Sequence, residues 1–280
     1  FPEEKEFPKD RLALARWLVS PDNPLTARVV INRQWAAFFG EGIVPTVDDF
    51  GMQGKLPNNP ALLDHLAVTF MEQNWSLKKL HRLIVTSATY QQQSVIESSS
   101  APHFLRQRLE AEIIRDSALQ ASGLLGSKMF GRPVRPPQPS GISEVAFGSP
   151  KWKPSQGEDR FRRSIYTYQK RTAPFAMFTT FDASSGEACL ARRDRSNTPL
   201  QALTLMNDPM FIEIANSYGE LIEKSKGSIE EKITLAFRRL LTRPPESQEL
   251  QLLSSFYQKH KSWKALTRAI LSLDESVTKN

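Results

Sequence analysis

Apolar residues recur at helical spacing along most of the chain. The clearest stripe lies behind the helix-start signal Asn59-Pro60 and comprises Leu62, Leu63, Leu66, Ala67, Phe70 and Met71. Its i, i+3, i+4 spacing places these side chains on one face of a helix. Comparable stripes predict helices at about residues 11–19, 25–39, 77–88, 104–125, 199–221, 229–241, 248–260 and 262–273. The pattern therefore predicts a mainly α fold with a multi-helix, bundle-like core.

Local signals mark several helix ends. Ser228 with Glu231 fits a capping box, in which the two side chains bond reciprocally to backbone N–H groups. The string Asn207-Asp208-Pro209 predicts a break in the helix that starts near residue 199. The reason is that proline disfavours helical geometry in the residue before it.

The middle of the chain, residues 128–195, interrupts the helical pattern. It contains seven prolines and few helical periods. The string Ser164-Ile165-Tyr166-Thr167-Tyr168 alternates polar and apolar residues, so a short β-hairpin is the strand structure it suggests. We predict a linker at 1–10 and a single mainly helical domain at 11–280. That domain has a helical half at 11–127, an irregular basic segment at 128–195 and a second helical half at 196–280.

All of the net positive charge lies in the same middle segment. The chain carries +7 at neutral pH, and residues 128–195 hold 13 Lys/Arg against 6 Asp/Glu, so the remaining residues balance. Guanidinium groups bind phosphate, sulfate or carboxylate through paired donors. The predicted anion-binding residues are Arg162, Arg163, Lys170, Arg171, Arg192 and Arg193. The alternative is that these cations pair with the protein's own carboxylates and helix C-termini.

Residues suited to acid–base chemistry are few and form no known catalytic motif. The candidates are Asp49, in a glycine-rich loop, together with Asp182 and Tyr166. Capping of its own loop is the structural alternative for Asp49. The string Ser76-Leu77-Lys78-Lys79 matches an SxxK signature, but the companion elements are absent and Ser76 stands where a helix N-cap belongs.

The sequence offers little support for metal, haem or membrane chemistry. The single cysteine, Cys189, permits neither an intrachain disulfide nor a CxxC site, and the four histidines form no HExxH or HxH motif. No apolar run approaches the roughly 20 residues that a membrane-spanning helix needs. We predict no metal, no cofactor and no membrane span.

Several short strings together make the chain recognisable. They are Asn23-Pro24-Leu25-Thr26-Ala27-Arg28-Val29, Asn32-Arg33-Gln34-Trp35, Asp48-Asp49-Phe50-Gly51, Trp75-Ser76-Leu77-Lys78, Arg162-Arg163-Ser164-Ile165-Tyr166, Lys170-Arg171-Thr172 and Thr198-Pro199-Leu200-Gln201-Ala202-Leu203. With these, the chain resembles the planctomycete-specific domain one family, a domain of unknown function, from about Arg11 to Asn280. It departs from the family before Arg106, where either a loop is shorter or residues are missing near 98–103.

The resemblance implies context more than chemistry. Domains of this family are found at the C-terminus of large exported proteins that also carry a cytochrome c domain and a companion domain of unknown function. The resemblance thus implies these upstream domains as partners, places any haem upstream, and implies a periplasmic or cell-surface location. Among positions that match the family pattern, Arg28, Asn32, Arg33 and Asn207 are further site candidates.

Three functions compete on this basis. The preferred one is a non-catalytic interaction or scaffold module that binds an acidic partner or an anionic polysaccharide through the central arginine-rich surface. The second is an enzyme, or part of one, acting on sulfated or uronic-acid glycans with Asp49, Asp182 or Tyr166 as acid or base. The third, nucleic-acid binding, follows from the basic composition. The lack of a known nucleic-acid motif and the implied export argue against it.

Overall fold

A computed structural model of the chain describes residues 10–92, 106–142, 151–170, 172–190 and 192–279. Within these ranges the secondary structure comprises eleven α-helices, three short 3-10 helices and one sheet of two strands, which confirms the mainly α fold. No helix in these ranges has both the length and the apolar character that crossing a membrane requires. The linker predicted at 1–10, apart from Asp10, and the stretch 98–103 lie outside the described residues.

The contacts between residues divide the chain into two compact units, one reaching Gln107 and the other spanning Arg108–Lys279. The single domain at 11–280 stays a prediction. The described helices of the first unit are α1 (Arg11–Leu18), α2 (Thr26–Phe39), α3 (Pro60–Glu72) and α4 (Leu77–Val85). The side chains of Asn59 and Ser76 accept hydrogen bonds from the N–H groups of Leu62 and Lys79, which confirms both predicted helix starts.

The apolar stripes of α2, α3 and α4 form the core of the first unit. Ile31, Leu63, Leu66, Phe70 and Ile84 are all buried there. The apolar residues at i, i+3, i+4 spacing on α3 therefore lie on the buried face of the helix, as predicted.

The second unit contains seven described α-helices and three 3-10 helices. The α-helices are α5 (Ala111–Ser122), α6 (Ala176–Thr180), α7 (Pro199–Asn207), α8 (Pro209–Lys224), α9 (Ile229–Leu240), α10 (Ser247–His260) and α11 (Trp263–Leu271). The 3-10 helices are Gly157–Phe161, Ser164–Tyr166 and Asp274–Val277. The predicted break is confirmed, since α7 ends at Asn207 and α8 begins at Pro209. The capping box of Ser228 and Glu231 is also confirmed.

Helix α8 lies at the centre of the second unit. Its residues Ile214, Tyr218 and Ile222 are fully buried against neighbouring helices. The contact with α11 is close because Gly219 has no side chain: a Cβ there would lie 2.7 Å from the backbone of Lys264.

Two local predictions differ from the structure. The helix predicted at 104–125 begins only at Ala111, because Gln107–Arg108 is extended and pairs as β1 with β2 (Thr278–Lys279). The pairing extends to Leu109, whose N–H donates to the carbonyl of Val277 over 2.7 Å. The strand suggested at 164–168 contains the 3-10 helix Ser164–Tyr166 instead. In the described part of 128–195, strand pairing is limited to isolated bridges such as Val134–Thr167.

Candidate functional site

A fully buried arginine, Arg115 of α5, organises the basic middle segment from within. Its guanidinium donates to the carbonyls of Arg160 and Arg162, each over 2.8 Å, and to the sulfur of Met210 over 3.2 Å. Burial lowers the pKa of Arg115 to about 10, so the group stays charged at neutral pH. The hydrogen bonds offset the cost of removing that charge from water.

The neighbouring carboxylate of Asp116 holds the next turn of the chain. It accepts from the N–H of Ser164 over 2.8 Å and from the Ser164 hydroxyl over 2.7 Å. Arg115 also donates to that hydroxyl over 3.2 Å. The 3-10 helix Ser164–Tyr166 is therefore fixed to α5 by side-chain hydrogen bonds.

Arg162, which is only 2% exposed, ties the segment 128–136 to the segment 162–168. Its guanidinium donates to the carbonyls of Phe130 and Arg132 and lies 4.0 Å from the ring centre of Tyr166. The hydroxyl of Tyr166 in turn accepts from the N–H of Phe130 over 2.8 Å. Three buried residues, Arg115, Arg162 and Ser164, together with the half-buried Asp116 and Tyr166 form what we call the buried frame.

A third segment, residues 151–155, lies along the other side of 134–136. The N–H of Ser155 donates to the carbonyl of Arg135 over 2.8 Å, and the indole of Trp152 donates to the carbonyl of Pro136 over 2.7 Å. The guanidinium of Arg135 lies 4.2 Å from the ring centre of Tyr168. The segments 128–136, 151–155 and 162–168 are thus joined side by side by hydrogen bonds.

Cations without a carboxylate partner stand on these three segments. We call them the basic ribbon, and they are Arg132, Arg135, Lys151, Lys153 and Arg163. All but the half-buried Arg135 are exposed, and among the described residues none forms an ion pair with Asp or Glu. The segments 128–136 and 151–168 carry eight Lys/Arg against two Asp/Glu. Their field therefore attracts anions, and it is screened by salt.

The other predicted anion-binding residues have different surroundings. Arg193 is engaged internally: it bonds to both carboxylate oxygens of Glu112, over 2.6 and 3.0 Å, and these hydrogen bonds raise its pKa. Arg192 is exposed and Lys170 is half-buried, and neither forms an ion pair with another described residue. Arg171 lies outside the described residues.

Arg192 belongs to a second group of like charges. Burial lowers the pKa of Arg195, Glu110 acts in the opposite direction, and Arg192 lowers the pKa further. Burial, with a further contribution from Arg195, lowers the pKa of Lys279 in β2 to about 8. Like charges brought this close raise the cost of keeping all of them protonated.

The catalytic candidates are held by separate internal contacts. The carboxylate of Asp182 accepts from the guanidinium of Arg108 and from the N–H and hydroxyl of Ser196, the latter two over 2.8 Å. Tyr166 belongs to the buried frame. Asp49 accepts from the N–H of Gly51 over 2.6 Å, which is the loop-capping alternative noted from the sequence. No contact between described residues brings Asp182 and Tyr166 together.

The candidates taken from the family pattern also differ from one another in burial and in hydrogen-bond partners. Asn32 is fully buried and exchanges two hydrogen bonds with the backbone of Val44, over 2.8 and 2.9 Å, which fastens the loop after α2. Arg28 pairs with Asp64 over 2.6 Å. Arg33 is exposed, and Asn207 accepts from Arg268 over 3.3 Å.

The sequence prediction omits four of the five ribbon residues. They lie in the strings Arg132-Pro133-Val134-Arg135 and Lys151-Trp152-Lys153-Pro154, which contain no acidic residue. That local lack of carboxylates was the available signal. The denser string at 160–163 is more conspicuous, but its members Arg160 and Arg162 are used inside the fold, Arg160 by pairing with Glu213.

The chain is thus a mainly helical protein in which buried arginines support an exposed basic surface. Residues 10–257 match the family model described as PSD1, protein of unknown function (DUF1553). The chain therefore belongs to this family, which confirms the resemblance of its short strings. Comparison with the curated proteins and with the solved structures found no match.

Proposed function

We propose that this chain is a non-catalytic binding module that holds an anionic polysaccharide on its basic ribbon. The observation that carries the proposal is the set of exposed cations that have no carboxylate partner among the described residues. Arg132, Lys151, Lys153 and Arg163 all have this property. Hydrated surface cations keep their charge available to a ligand, whereas paired cations do not.

The layout of the ribbon favours a polymer over a single small anion. Its cations are distributed over three adjoining segments instead of converging on one buried carboxylate-sized position. A chain with regularly spaced sulfate or uronate groups engages several such cations at once, and the separate weak contacts add through effective concentration. The half-buried ring of Tyr168, over which the Arg135 guanidinium lies, adds an aromatic surface for a sugar ring.

The buried frame supports the ribbon as a binding surface. Hydrogen bonds donated by Arg115 and Arg162 and accepted by Asp116 order the segments before any ligand arrives. A surface that is already ordered loses less conformational entropy on binding. The internal engagement of Asp182 and Tyr166 favours binding without turnover.

The proposed setting comes from the family resemblance. We propose that the module is part of an exported planctomycete protein, located in the periplasm or at the cell surface, with cytochrome c-like and companion domains upstream. An acidic surface of those domains is the competing ligand of the ribbon.

The test compares two variants that lose the same charge from different surfaces. The ribbon variant carries Arg132→Gln, Lys151→Gln, Lys153→Gln and Arg163→Gln. The control variant carries Arg16→Gln, Lys78→Gln, Lys79→Gln and Arg82→Gln, all exposed residues of the first unit. Binding to polygalacturonate and to dextran sulfate is measured by calorimetry at low and high salt. We expect the ribbon variant to bind at least about tenfold more weakly at low salt, because four contacts are removed.

Several outcomes would contradict the proposal. Equal losses in the two variants would show that net charge alone governs binding. Tighter binding to an oligodeoxynucleotide of equal charge would assign the ribbon to nucleic acid. Release of new reducing ends from polygalacturonate would show an enzyme. If the wild type binds neither polymer at either salt concentration, an anionic polysaccharide is not the ligand of the ribbon.

A further inference from the structure

A cleft of about 600 Å³ is lined by residues of α6 and α7, by Asp208 at the cap of α8, and by the segments before α6. Its volume falls within the range of small-molecule sites. The exposed apolar side chains of Leu200 and Ile142 line it, with the fully buried Met177 behind them. None of the lining residues belongs to the basic ribbon.

One carboxylate, that of Asp208, faces this cleft. The residue is only 5% exposed, and it stands between α7 and α8. One oxygen, Oδ1, accepts from the N–H of Met210 over 2.8 Å, which caps α8. Burial raises the pKa of this carboxyl group, while hydrogen bonds from the backbone N–H groups of Met210 and Phe211 act in the opposite direction. Because the amino end of α8 already balances part of its charge, the carboxylate acts toward a ligand mainly as a hydrogen-bond acceptor.

Threonine hydroxyls supply most of the remaining polar lining. Those of Thr180 and Thr204 donate to the carbonyls of Ala176 and Leu200, over 3.0 and 2.8 Å, so toward a ligand they can only accept. Thr172 and Thr179 also line the cleft, and neither hydroxyl has a hydrogen-bond partner among the described residues. Acceptors thus outnumber donors.

The charges of the lining residues determine the ligand class. No Lys, Arg or His is among the described residues that line the cleft, and its single ionisable group is acidic. An anion would be repelled and would lose hydration without compensation. A ligand with several hydroxyl donors and an apolar face matches the carboxylate, the threonines and the aliphatic wall.

We propose that this cleft binds an uncharged, polyhydroxylated ring, namely a single neutral sugar unit, with a hydroxyl donating to Asp208 and a C–H face against Leu200 and Ile142. This site is separate from the ribbon in residues, in charge and in ligand class. Its occupation does not depend on whether the ribbon binds a polyanion.

The experiment is an NMR titration of the full chain with the methyl glycosides of glucose, galactose and mannose. Glucuronate serves as the anionic probe and n-butylamine as the cationic one. We expect saturable shifts in residues of α6 and α7 with at least one neutral glycoside, and weaker effects with both charged probes. The same titration of the ribbon variant is expected to give unchanged affinity for the glycoside.

Two substitutions with matched controls test the contacts. Asp208→Asn keeps a good helix cap but removes the charged acceptor, and we expect affinity to fall about tenfold or more. Its control is Asp10→Asn, which alters the N-cap of α1, where Asp10 accepts from Ala13 over 2.8 Å. Thr204→Val removes an acceptor and is expected to cost about fivefold. Its control is Thr234→Val, because Thr234 makes the same bond to the carbonyl four residues earlier, over 2.8 Å.

Each outcome of these experiments either supports or overturns the proposed sugar site. Loss of affinity in the two cleft variants with both controls unchanged supports the site. The site is overturned if no neutral glycoside gives saturable shifts, if Asp208→Asn binds as tightly as the wild type, or if n-butylamine or glucuronate binds more tightly than the glycosides. Thermal unfolding of each variant confirms that the compared proteins are folded.

Discussion

Arg162 and Arg163 are neighbours in the chain, but they belong to two regions that use the same side chain differently. In the buried frame, the guanidinium of Arg162 donates to main-chain carbonyls and covers Tyr166. In the basic ribbon, Arg163 is exposed and forms no ion pair with a described residue. A buried charge is costly unless it is hydrogen-bonded. The terminal nitrogens of Arg162 are used by main-chain carbonyls inside the fold, and its Nε is buried, so the side chain has little left for a ligand. The density of arginine in a sequence therefore does not measure the capacity to bind anions.

The largest expected effect comes from breaking the frame at its centre. Arg115→Met leaves the carbonyls of Arg160 and Arg162 without their donor and Asp116 without its cation. We expect the free energy of unfolding to fall by about 3–5 kcal/mol, as for other buried charges that lose a partner. Urea denaturation followed by circular dichroism measures it. A loss below about 1 kcal/mol would show that the network contributes little to stability.

The two separate substitutions Arg162→Gln and Arg163→Gln test whether the buried frame and the basic ribbon have different roles. The first should lower the free energy of unfolding by about 2–3 kcal/mol, because it removes the hydrogen bonds to three main-chain carbonyls and the stacking on Tyr166. The second should change stability by less than about 0.5 kcal/mol, as is usual for an exposed site. For polygalacturonate affinity, Arg163→Gln should cost about threefold at low salt. If the exposed residue proves the more important for stability, the division into frame and ribbon is wrong.

The smallest effect concerns a buried and an exposed carboxylate. Burial raises the pKa of Asp208 above its ordinary value of 3.8, so the folded chain holds this proton at a pH where the unfolded chain has lost it. The stabilising contribution of the protonated group is complete below 3.8 and is lost as the pH rises through the folded pKa. Between pH 3.8 and the raised pKa of the folded chain, the free energy of unfolding should depend less on pH in Asp208→Asn than in the wild type. Asp10→Asn, at an exposed cap, is the control, and an equal change in both variants would contradict the expectation.

Much of the helical architecture was predictable because its determinants are local. The stripe on α3, the caps at Asn59 and Ser76 and the break before Pro209 each depend on residues within one or two turns of each other. The start of α5 was not predictable in the same way. Gln107–Arg108 is extended because it pairs with Thr278–Lys279, and no local pattern encodes a partner so distant in the chain.

The candidate sites divide along the same line. The sequence by itself determined that the excess positive charge lies between two helical stretches, since charge follows directly from composition. Only the tertiary structure decided which cations remain in water. Arg162 and Arg193 are used by the fold, while Arg132, Lys151 and Lys153 stay exposed. The tertiary structure also placed Asp208 in a cleft with threonines from other elements. Burial depends on packing between distant segments, and the identity of a residue does not reveal what will cover it.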